Sequence, residues 1–425
     1  MKVTNLIIIS VFFTCLQAIA QNDPSTIYTL LKPDRVFDGK DIHNNWCVLV
    51  KGKKIEVVGE LSTIKIPASA TIIELKGTTL MPGMIEGHSH LFLHPYNETS
   101  WNDQVLTESR AERTARAVEH AKATLMAGFT TVRDLGTEGA GYDDVGLKSA
   151  INKGIIPGPR MLVATRAIVA TGSYGPKSNV TEAVLPIGAE QADGSEGLTR
   201  AIRSQIGYGA DVIKIYADYR WGVNGTAAPT FTLDELKTAV QVAGSSGRQV
   251  VVHSCTEEGM RRAIAAGVGT IEHGDGGTPE IFKQMKAKGI ALCPTLAATE
   301  ATSSYKGWKK GIDADPEAVK HKHEIFAEAL KAGVTICMGG DVGVFTHGDN
   351  AREMLLMAEY GMKNIDVLRS ATSVNADVFE LKDLGNIKAG YLADIIAVEG
   401  NPAEDLKVVK QVKLVIKDGV VYLQK

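Results

Sequence analysis

Between residues 82 and 378, short apolar segments alternate with helical patterns, and this alternation constrains the fold more than any other feature of the sequence. The helical pattern of residues 110–127, for example, ends at Gly128 and leads into the strand-like segment 129–135. About eight such units follow one another, which predicts an α/β protein built as a closed (β/α)8 TIM barrel. A doubly wound open sheet is the alternative, although no Gly-x-Gly-x-x-Gly motif follows the first strand.

The two ends of the chain have a different texture from the centre. Residues 21–81 and 379–425 show period-two alternation of apolar and polar residues, with turns at glycine, asparagine and lysine. Such a pattern is typical of antiparallel strands. We therefore predict a small β-sandwich domain built from both termini, with the barrel domain, residues 82–378, inserted between its two parts.

The first twenty residues resemble a secretory signal peptide. Lys2 precedes an apolar stretch over residues 6–16, and Ala18-Ile19-Ala20 has the small-x-small pattern of a cleavage site. The apolar stretch is shorter than the roughly 20 residues that span a bilayer, so no membrane anchor is predicted. We expect residues 1–20 to be removed and the protein to be periplasmic or secreted.

Charge gives no indication of a polyanionic partner. The 425-residue chain has a formal net charge of −3 and 22% charged residues. A protein without excess positive charge has no electrostatic basis for binding nucleic acid. A small-molecule substrate is therefore expected, and a homo-oligomer is possible.

Two histidines stand together at the end of the first strand of the central region. His88 and His90, in the sequence Gly-His-Ser-His, are two residues apart, so in a strand they share one face. Two neutral imidazoles side by side suit a borderline metal such as zinc. A buried histidine pair without metal is the alternative when this motif is considered alone.

Further polar residues recur where the other predicted strands end. They lie on the first, fourth, fifth, sixth and eighth strands, and the full set is His88, His90, Lys214, His253, His273 and Asp341. In a barrel these strand ends meet at one opening, where active sites are built. Burial of Lys214 among apolar neighbours should lower the pKa of its amine, and a neutral amine can react with carbon dioxide to give a carbamate that bridges two metals.

With these motifs, the chain resembles the amidohydrolase superfamily of metal-dependent hydrolases, in the branch of imidazolonepropionase-like proteins, prolidases and related carboxypeptidases. The resemblance rests on residues 81–90, on Glu-His-Gly at 272–274 and on Gly-Tyr-Leu-Ala-Asp-Ile-Ile at 390–396. It implies that His88, His90 and Asp341 hold the more buried metal. It also implies that His253 and His273 hold the more exposed metal, with N6-carboxylated Lys214 bridging the two ions, usually Zn2+.

The resemblance implies hydrolysis of an amide bond in a dipeptide or an N-acyl amino acid that carries a free carboxylate. A water shared by two cations loses a proton near neutral pH, and Asp341 can take that proton and pass it to the leaving amine. Ring opening of a cyclic amide is the alternative reaction, although imidazolonepropionase-like relatives typically use one metal without a bridging lysine. A metal-binding protein without activity is a third possibility.

Loops after the strands supply candidate substrate contacts. Tyr174 occupies a loop position where prolidase-like relatives often have histidine, and it could hydrogen-bond a carbonyl oxygen. Tyr219 could contact an apolar side chain, and Arg220 could pair with a substrate carboxylate. His347, after the last strand, is a further candidate; an ordinary structural role in the loops is the alternative for Arg220 and His347.

Overall fold

The computed structural model describes residues 27–176 and 184–425, so the predicted signal peptide lies outside the described residues. Nineteen strands occur there. They are β1 (Tyr28–Phe37), β2 (Ile42–Asn44), β3 (Trp46–Lys51), β4 (Lys54–Glu60), β5 (Thr71–Pro82), β6 (Met84–Ser89), β7 (Phe129–Asp134), β8 (Arg160–Val163), β9 (Ile168–Val169), β10 (Glu190–Gln191), β11 (Ile213–Tyr216), β12 (Asp218–Tyr219), β13 (Ala228–Pro229), β14 (Val250–Ser254), β15 (Thr270–His273), β16 (Ala291–Cys293), β17 (Ile395–Glu399), β18 (Val412–Lys417) and β19 (Val420–Gln424).

In the same described residues, twelve α-helices lie mainly between the strands of the central region. They are α1 (Trp101–Leu106), α2 (Arg110–Met126), α3 (Asp143–Asn152), α4 (Gly194–Tyr208), α5 (Leu233–Gly244), α6 (Glu257–Ala266), α7 (Pro279–Lys288), α8 (Leu296–Tyr305), α9 (Glu317–Ala332), α10 (Ala351–Glu359), α11 (Asn364–Arg369) and α12 (Asn375–Val378). The sequence sets several of these boundaries. Thr232 and Glu235 form a capping box at the start of α5, and Gly209 and Gly333 end α4 and α9 in the left-handed conformation.

Strands from both ends of the chain share one eight-stranded sheet. Its order is β19-β18-β17-β5-β1-β3-β4, with β2 paired to β1. The strand β5 joins the two ends, because it runs parallel to β1 and antiparallel to β17. Both faces of β17 are buried: Ile395 packs within the sheet's own core, and Ile396 packs against the central region. The sheet is therefore attached to the central region by a continuous apolar face.

Within the described residues of the central region, β12 and β13 form an antiparallel pair and the other strands form two parallel sheets. One has the order β6-β7-β8, and the other has the order β10-β9-β11-β14-β15-β16. Isolated parallel bridges join Ser89 to Val342 and Leu292 to Ile336, so the segment that precedes Asp341 lies between β6 and β16. The structure thus confirms the predicted α/β class, with helices connecting parallel strands.

A close approach fixes the entry of the chain into β6. A Cβ atom on Gly83 would lie 2.1 Å from Oγ1 of Thr130, so only glycine fits at this point. The chain passes directly from β5 of the terminal sheet into β6, whose residues are all buried. In this way the terminal sheet sets the position of the strand that carries His88.

No helix within the described ranges is long and apolar enough to cross a membrane.

Candidate metal centre and substrate cavity

The polar residues predicted from the strand ends converge on one cavity of about 480 Å³. Its lining includes five of the six predicted metal ligands: His88, His90, His253, His273 and Asp341. The sixth residue, Lys214, is only 1% exposed and lies next to this group. The parallel strands bring these side chains together because their carboxyl ends open on the same side.

Asp341 lies beside both His88 and His90, and His273 is close to the same group. Oδ1 of Asp341 lies 3.5 Å from Nε2 of His88 and 3.2 Å from Nε2 of His90. Ligand atoms of His88, His273 and Asp341 all lie within 4.8 Å of one another, which is compatible with one metal ion. The structure therefore brings together the residues expected to hold the more buried metal.

His253 and His273 lie beside this group, with ring centroids 4.5 Å apart. His273 has a left-handed backbone, with φ of 72°, and its Nδ1 lies 2.7 Å from Oγ1 of Thr295. Nε2 of His253 lies 3.6 Å from Sγ of Cys255 and 4.0 Å from Oδ1 of Asp218. His253 thus has two neighbours that the sequence analysis did not associate with it.

Lys214 lies beside His88 within the buried group. Its Nζ lies 3.3 Å from Nε2 of His88, in an environment closed to solvent. Burial lowers the pKa of Lys214, although the carboxylates of Glu272 and Asp341 act in the opposite direction. The amine is therefore shifted toward the neutral form that carbamate formation requires.

Electrostatics keep most of the histidines in the ligand form. Burial lowers the pKa of His88 and of His253 to about 4, and it lowers the pKa of His273 well below its usual range. His90 differs: burial disfavours its cation, but the hydrogen bond and charge of Asp341 raise its pKa to about 9. A neutral imidazole is the form that binds a metal.

Two buried acids that sequence reasoning missed hold this cluster in place. Oε2 of Glu272 lies 2.9 Å from Nδ1 of His88, while Oε1 accepts a 2.8 Å hydrogen bond from Arg133. Burial alone would raise the pKa of Glu272, but the Arg133 guanidinium and His88 hold it well below its usual range. Glu86 accepts from the backbone N–H groups of His88 and Gly340, and so connects β6 to the segment that carries Asp341.

Three of the four candidate substrate residues line the cavity: Tyr174, Tyr219 and Arg220. His347 lies outside the cavity lining. It is 6% exposed, its Nε2 lies 3.0 Å from the carbonyl oxygen of Leu93, and its ring stacks on His120 at 4.2 Å. These contacts do not support the predicted substrate contact of His347, because its ring is used in packing against the loop after β6 and against α2.

The cavity also contains residues that the sequence analysis did not single out, among them Trp101, Glu138, Tyr216 and Lys306. Tyr216 follows Lys214 by two residues in β11, so period-two alternation places both on one face of the strand and could have identified it. Trp101 and Lys306 belong to α1 and to the end of α8, where no strand periodicity applies.

Comparisons with known proteins indicate the family to which the chain belongs. A model of the amidohydrolase family matches residues 79–422. An ochratoxinase of Aspergillus niger is 31% identical over 407 residues, which cover 89% of this chain and 82% of the relative. A solved Xaa-Pro dipeptidase with bound methionine in the active site has 32% identity and a TM-score of 0.81, covering 93% of this chain and all of the other. A solved prolidase complexed with N-methylphosphonate-L-proline has 28% identity and a TM-score of 0.80, covering 94% of this chain and all of the other.

The fold, the cavity and these comparisons define a hydrolase that acts on carbon–nitrogen bonds. Within that class, the chain belongs to the amidohydrolase family. The family assignment made from the sequence motifs is therefore confirmed.

Proposed function

We propose that this protein is an exported, binuclear metal-dependent amidohydrolase that cleaves the amide bond of a dipeptide or N-acyl amino acid with a free carboxylate. The geometry around Lys214 carries the proposal. A buried amine 3.3 Å from a histidine imidazole has no evident structural purpose, but a carboxylated lysine between two cations would explain it. Burying an ammonium group is otherwise costly, even with the charges of Glu272 and Asp341 nearby.

We also propose a closed (β/α)8 barrel as the framework of the site. The isolated bridges at Ser89 and Leu292 support closure on one side, and the 2.8 Å hydrogen bond from the N–H of Asp211 to Val163 supports it on the other. In this arrangement residues 82–378 form the catalytic domain. Residues 21–81 and 379–425 form the β-sandwich domain. The eight-stranded sheet shared by the two ends of the chain supports this assignment.

The available side chains fit two divalent cations, which we propose to be Zn2+. His88, His90 and Asp341 would hold one ion, His253 and His273 the other, and N6-carboxylated Lys214 would bridge them. Imidazole nitrogen and carboxylate oxygen are ordinary zinc ligands, and the lowered pKa values of His88, His253 and His273 favour this role. Glu272 would orient His88 through Nδ1.

The cations would supply Lewis acidity that lowers the pKa of water and polarises the scissile carbonyl. Asp341 would remove the proton from the attacking water and deliver it to the nitrogen of the leaving amine. His90 holds the Asp341 carboxylate at 3.2 Å, and the left-handed backbone at Asp341, with φ of 62°, turns this residue out of the strand direction at the cavity.

Two cationic side chains support a substrate with a free carboxylate. Arg220 and Lys306 line the cavity, and neither has an ion-pair partner within 4.0 Å in the described part of the chain. A guanidinium can bind a carboxylate through two parallel hydrogen bonds. The similar Xaa-Pro dipeptidase has methionine, a free amino acid with a carboxylate, bound in its active site, and the similar prolidase binds N-methylphosphonate-L-proline, which further supports the proposal.

Export is proposed from residues 1–20 alone, because their charge and apolar pattern match a cleavable signal peptide. An exported enzyme of this type would act on peptides or acylated amino acids outside the cytoplasm. Assembly into a homo-oligomer remains a prediction.

Metal analysis and a substrate screen test the proposal together. We expect about two zinc ions per chain and turnover of carboxylate-bearing amides by the zinc-loaded protein. One ion per chain with turnover of cyclic amides would favour the alternative reaction. No turnover of any dipeptide or N-acyl amino acid would contradict the proposed substrate class.

A further inference from the structure

A buried carboxylate lies in the wall of the cavity beside the candidate metal centre. Glu138 is 2% exposed and follows β7 with a left-handed backbone, φ 48°. Its Oε2 accepts a 3.0 Å hydrogen bond from Nε1 of Trp101 and a 2.5 Å hydrogen bond from the hydroxyl of Tyr174. Its Oε1 is buried without a hydrogen-bond partner among residues 27–176 and 184–425.

This carboxylate also has no cationic partner. Within the described ranges no lysine, arginine or histidine nitrogen lies within 4.0 Å of the Glu138 carboxylate. Arg113 is near, but it donates to the backbone carbonyl oxygens of Glu138, Thr137 and Phe92, and so it fixes the loop. The charge of Arg113 acts on this carboxylate without direct contact. A bound cation touching Oε1 would supply the direct ion pair that the buried Glu138 carboxylate lacks.

The walls around Glu138 are suited to a cation. Trp101, Tyr174, Tyr216 and Tyr219 all line the cavity. The ring of Tyr174 lies 5.1 Å from that of Trp101, 4.8 Å from that of Tyr216 and 4.9 Å from that of Tyr219, so the four form one aromatic cluster. Aromatic faces attract ammonium groups through their quadrupoles.

The position of Glu138 identifies which substrate cation would be bound. A Cβ atom on Gly136 would lie 3.4 Å from Oε1 of Glu138 and 3.7 Å from Cε1 of His90, so the carboxylate neighbours a residue of the candidate metal centre. In a dipeptide the α-ammonium is attached to the carbon next to the scissile carbonyl. It therefore stays close to the reacting carbonyl, whereas the amine of a lysine side chain would extend farther away.

We propose that Glu138, together with Trp101 and Tyr174, binds the free α-ammonium group of the substrate. The enzyme would then cleave dipeptides in preference to N-acyl amino acids, a choice that the proposed function leaves open. The inference rests on that function, since it assumes that the scissile carbonyl lies at the metal centre. Glu138 is assigned a binding role and takes part in no covalent step.

Three substrates with the same scissile bond test this inference: a dipeptide, its N-acetyl derivative and the acyl analogue in which hydrogen replaces the α-amino group. With the zinc-loaded wild type, we expect kcat/KM for the dipeptide to exceed that for either neutral compound by at least about tenfold, the ratio that 1.4 kcal/mol represents. Glu138→Gln should reduce this ratio by about tenfold, mainly through KM. Glu280→Gln, an exposed acid on α7, serves as the control and should leave the ratio unchanged.

The pH dependence of KM distinguishes a binding role of Glu138 from a purely structural role. KM for the dipeptide should rise above about pH 8, as the substrate's own α-amino group loses its proton. The same rise should be absent for the acyl analogue and weakened in Glu138→Gln.

Several outcomes would overturn the inference while leaving the proposed function in place. The first is that the neutral compounds are cleaved as fast as the dipeptide or faster. The second is that Glu138→Gln lowers kcat/KM equally for all three substrates. The third is that an N-acetyl substrate with a lysine side chain recovers the full rate, because that would show binding of a different cation.

If no amide is cleaved at all, calorimetry still tests the inference. A free amino acid should bind the zinc-loaded protein about tenfold more tightly than its N-acetyl form, and equal binding would refute the inference.

Discussion

The floor and the rim of the cavity are built differently. On the floor, formed by the candidate metal ligands, three of the four histidines are held by a second group: His88 by Glu272, His90 by the carbonyl oxygen of Gly136, and His273 by Thr295. At the rim, the side chains of Arg220 and Lys306 are exposed, and neither forms an ion pair within the described residues. The difference indicates that the positions of the reacting groups are fixed by the strands, while substrate choice depends on loops that can change without disturbing the floor.

The largest effect should come from the acid on the floor. Asp341→Asn should lower kcat by about 10²–10⁴-fold, because proton transfer by a positioned side chain contributes about that factor. The measurement is steady-state kinetics on the best substrate of the screen, with circular dichroism as the control for folding. Near-normal turnover in a folded variant would remove Asp341 from the proposed role.

Replacement of the buried amine should reduce metal content as well as rate. Lys214→Ala should lower bound zinc from about two ions toward one per chain and reduce kcat/KM by about 100-fold, since metal affinity depends on the complete ligand set. Elemental analysis and kinetics provide the measurement. A short carboxylic acid added to the variant should restore part of the activity by occupying the vacated space. Unchanged metal content would contradict a bridging role.

A smaller effect on metal affinity is expected at Glu272, which contacts the candidate metal ligand His88 but is not itself a proposed ligand. Glu272→Gln removes the charge that orients His88, and loss of such a partner typically costs about 10–100-fold in metal affinity. It also leaves the buried Arg133 without its 2.8 Å ion pair, so the melting temperature should fall. Zinc titration against a chelator and thermal unfolding measure the two effects. Unaltered zinc affinity would limit Glu272 to a stabilising role.

At the rim the effect should fall on substrate binding alone. Arg220→Gln should raise KM for carboxylate-bearing substrates by about tenfold with little change in kcat, because an exposed charge contributes modestly. The matched comparison is a substrate amidated at its carboxyl end, for which KM should not change. An equal rise for both substrates would contradict a pairing between Arg220 and the carboxylate.

The smallest effect is expected at His347, which packs against Leu93 and His120 away from the cavity. His347→Gln should change kcat/KM by less than about twofold, although loss of buried packing should lower the melting temperature. A rise in KM much larger than twofold would indicate that His347 contacts the substrate after all, and the comparison between floor and rim would have to be revised.

Four of the six predicted metal ligands lie on strands, while His90 directly follows β6 and Asp341 lies in the segment bridged to β6 and β16. His88, Lys214 and His253 fall within β6, β11 and β14, where period-two alternation and the meeting of parallel strand ends determine their direction. These rules need only local sequence. They gave the α/β class and the set of residues around one cavity.

Tyr174 and Arg220 were predicted in loops because they follow strands, but other residues on loops and helices escaped prediction because their positions depend on distant contacts. Glu138 is placed by Arg113 of α2, which donates to two carbonyl oxygens of its loop, and no sequence spacing encodes that contact. His347 follows the last strand as a substrate residue would, yet its ring is drawn to the carbonyl oxygen of Leu93. Sequence reasoning therefore works for side chains whose direction the backbone sets and fails for those set by tertiary packing.

The left-handed backbone of His273 and Asp341, and of Thr295 with φ of 52°, has a consequence for engineering. A non-glycine residue in this conformation costs about 1–2 kcal/mol. Selection for heat resistance alone should consequently enrich glycine at these three positions. The selected proteins would outlast the parent on heating and hydrolyse nothing, so durability and turnover would have to be screened together.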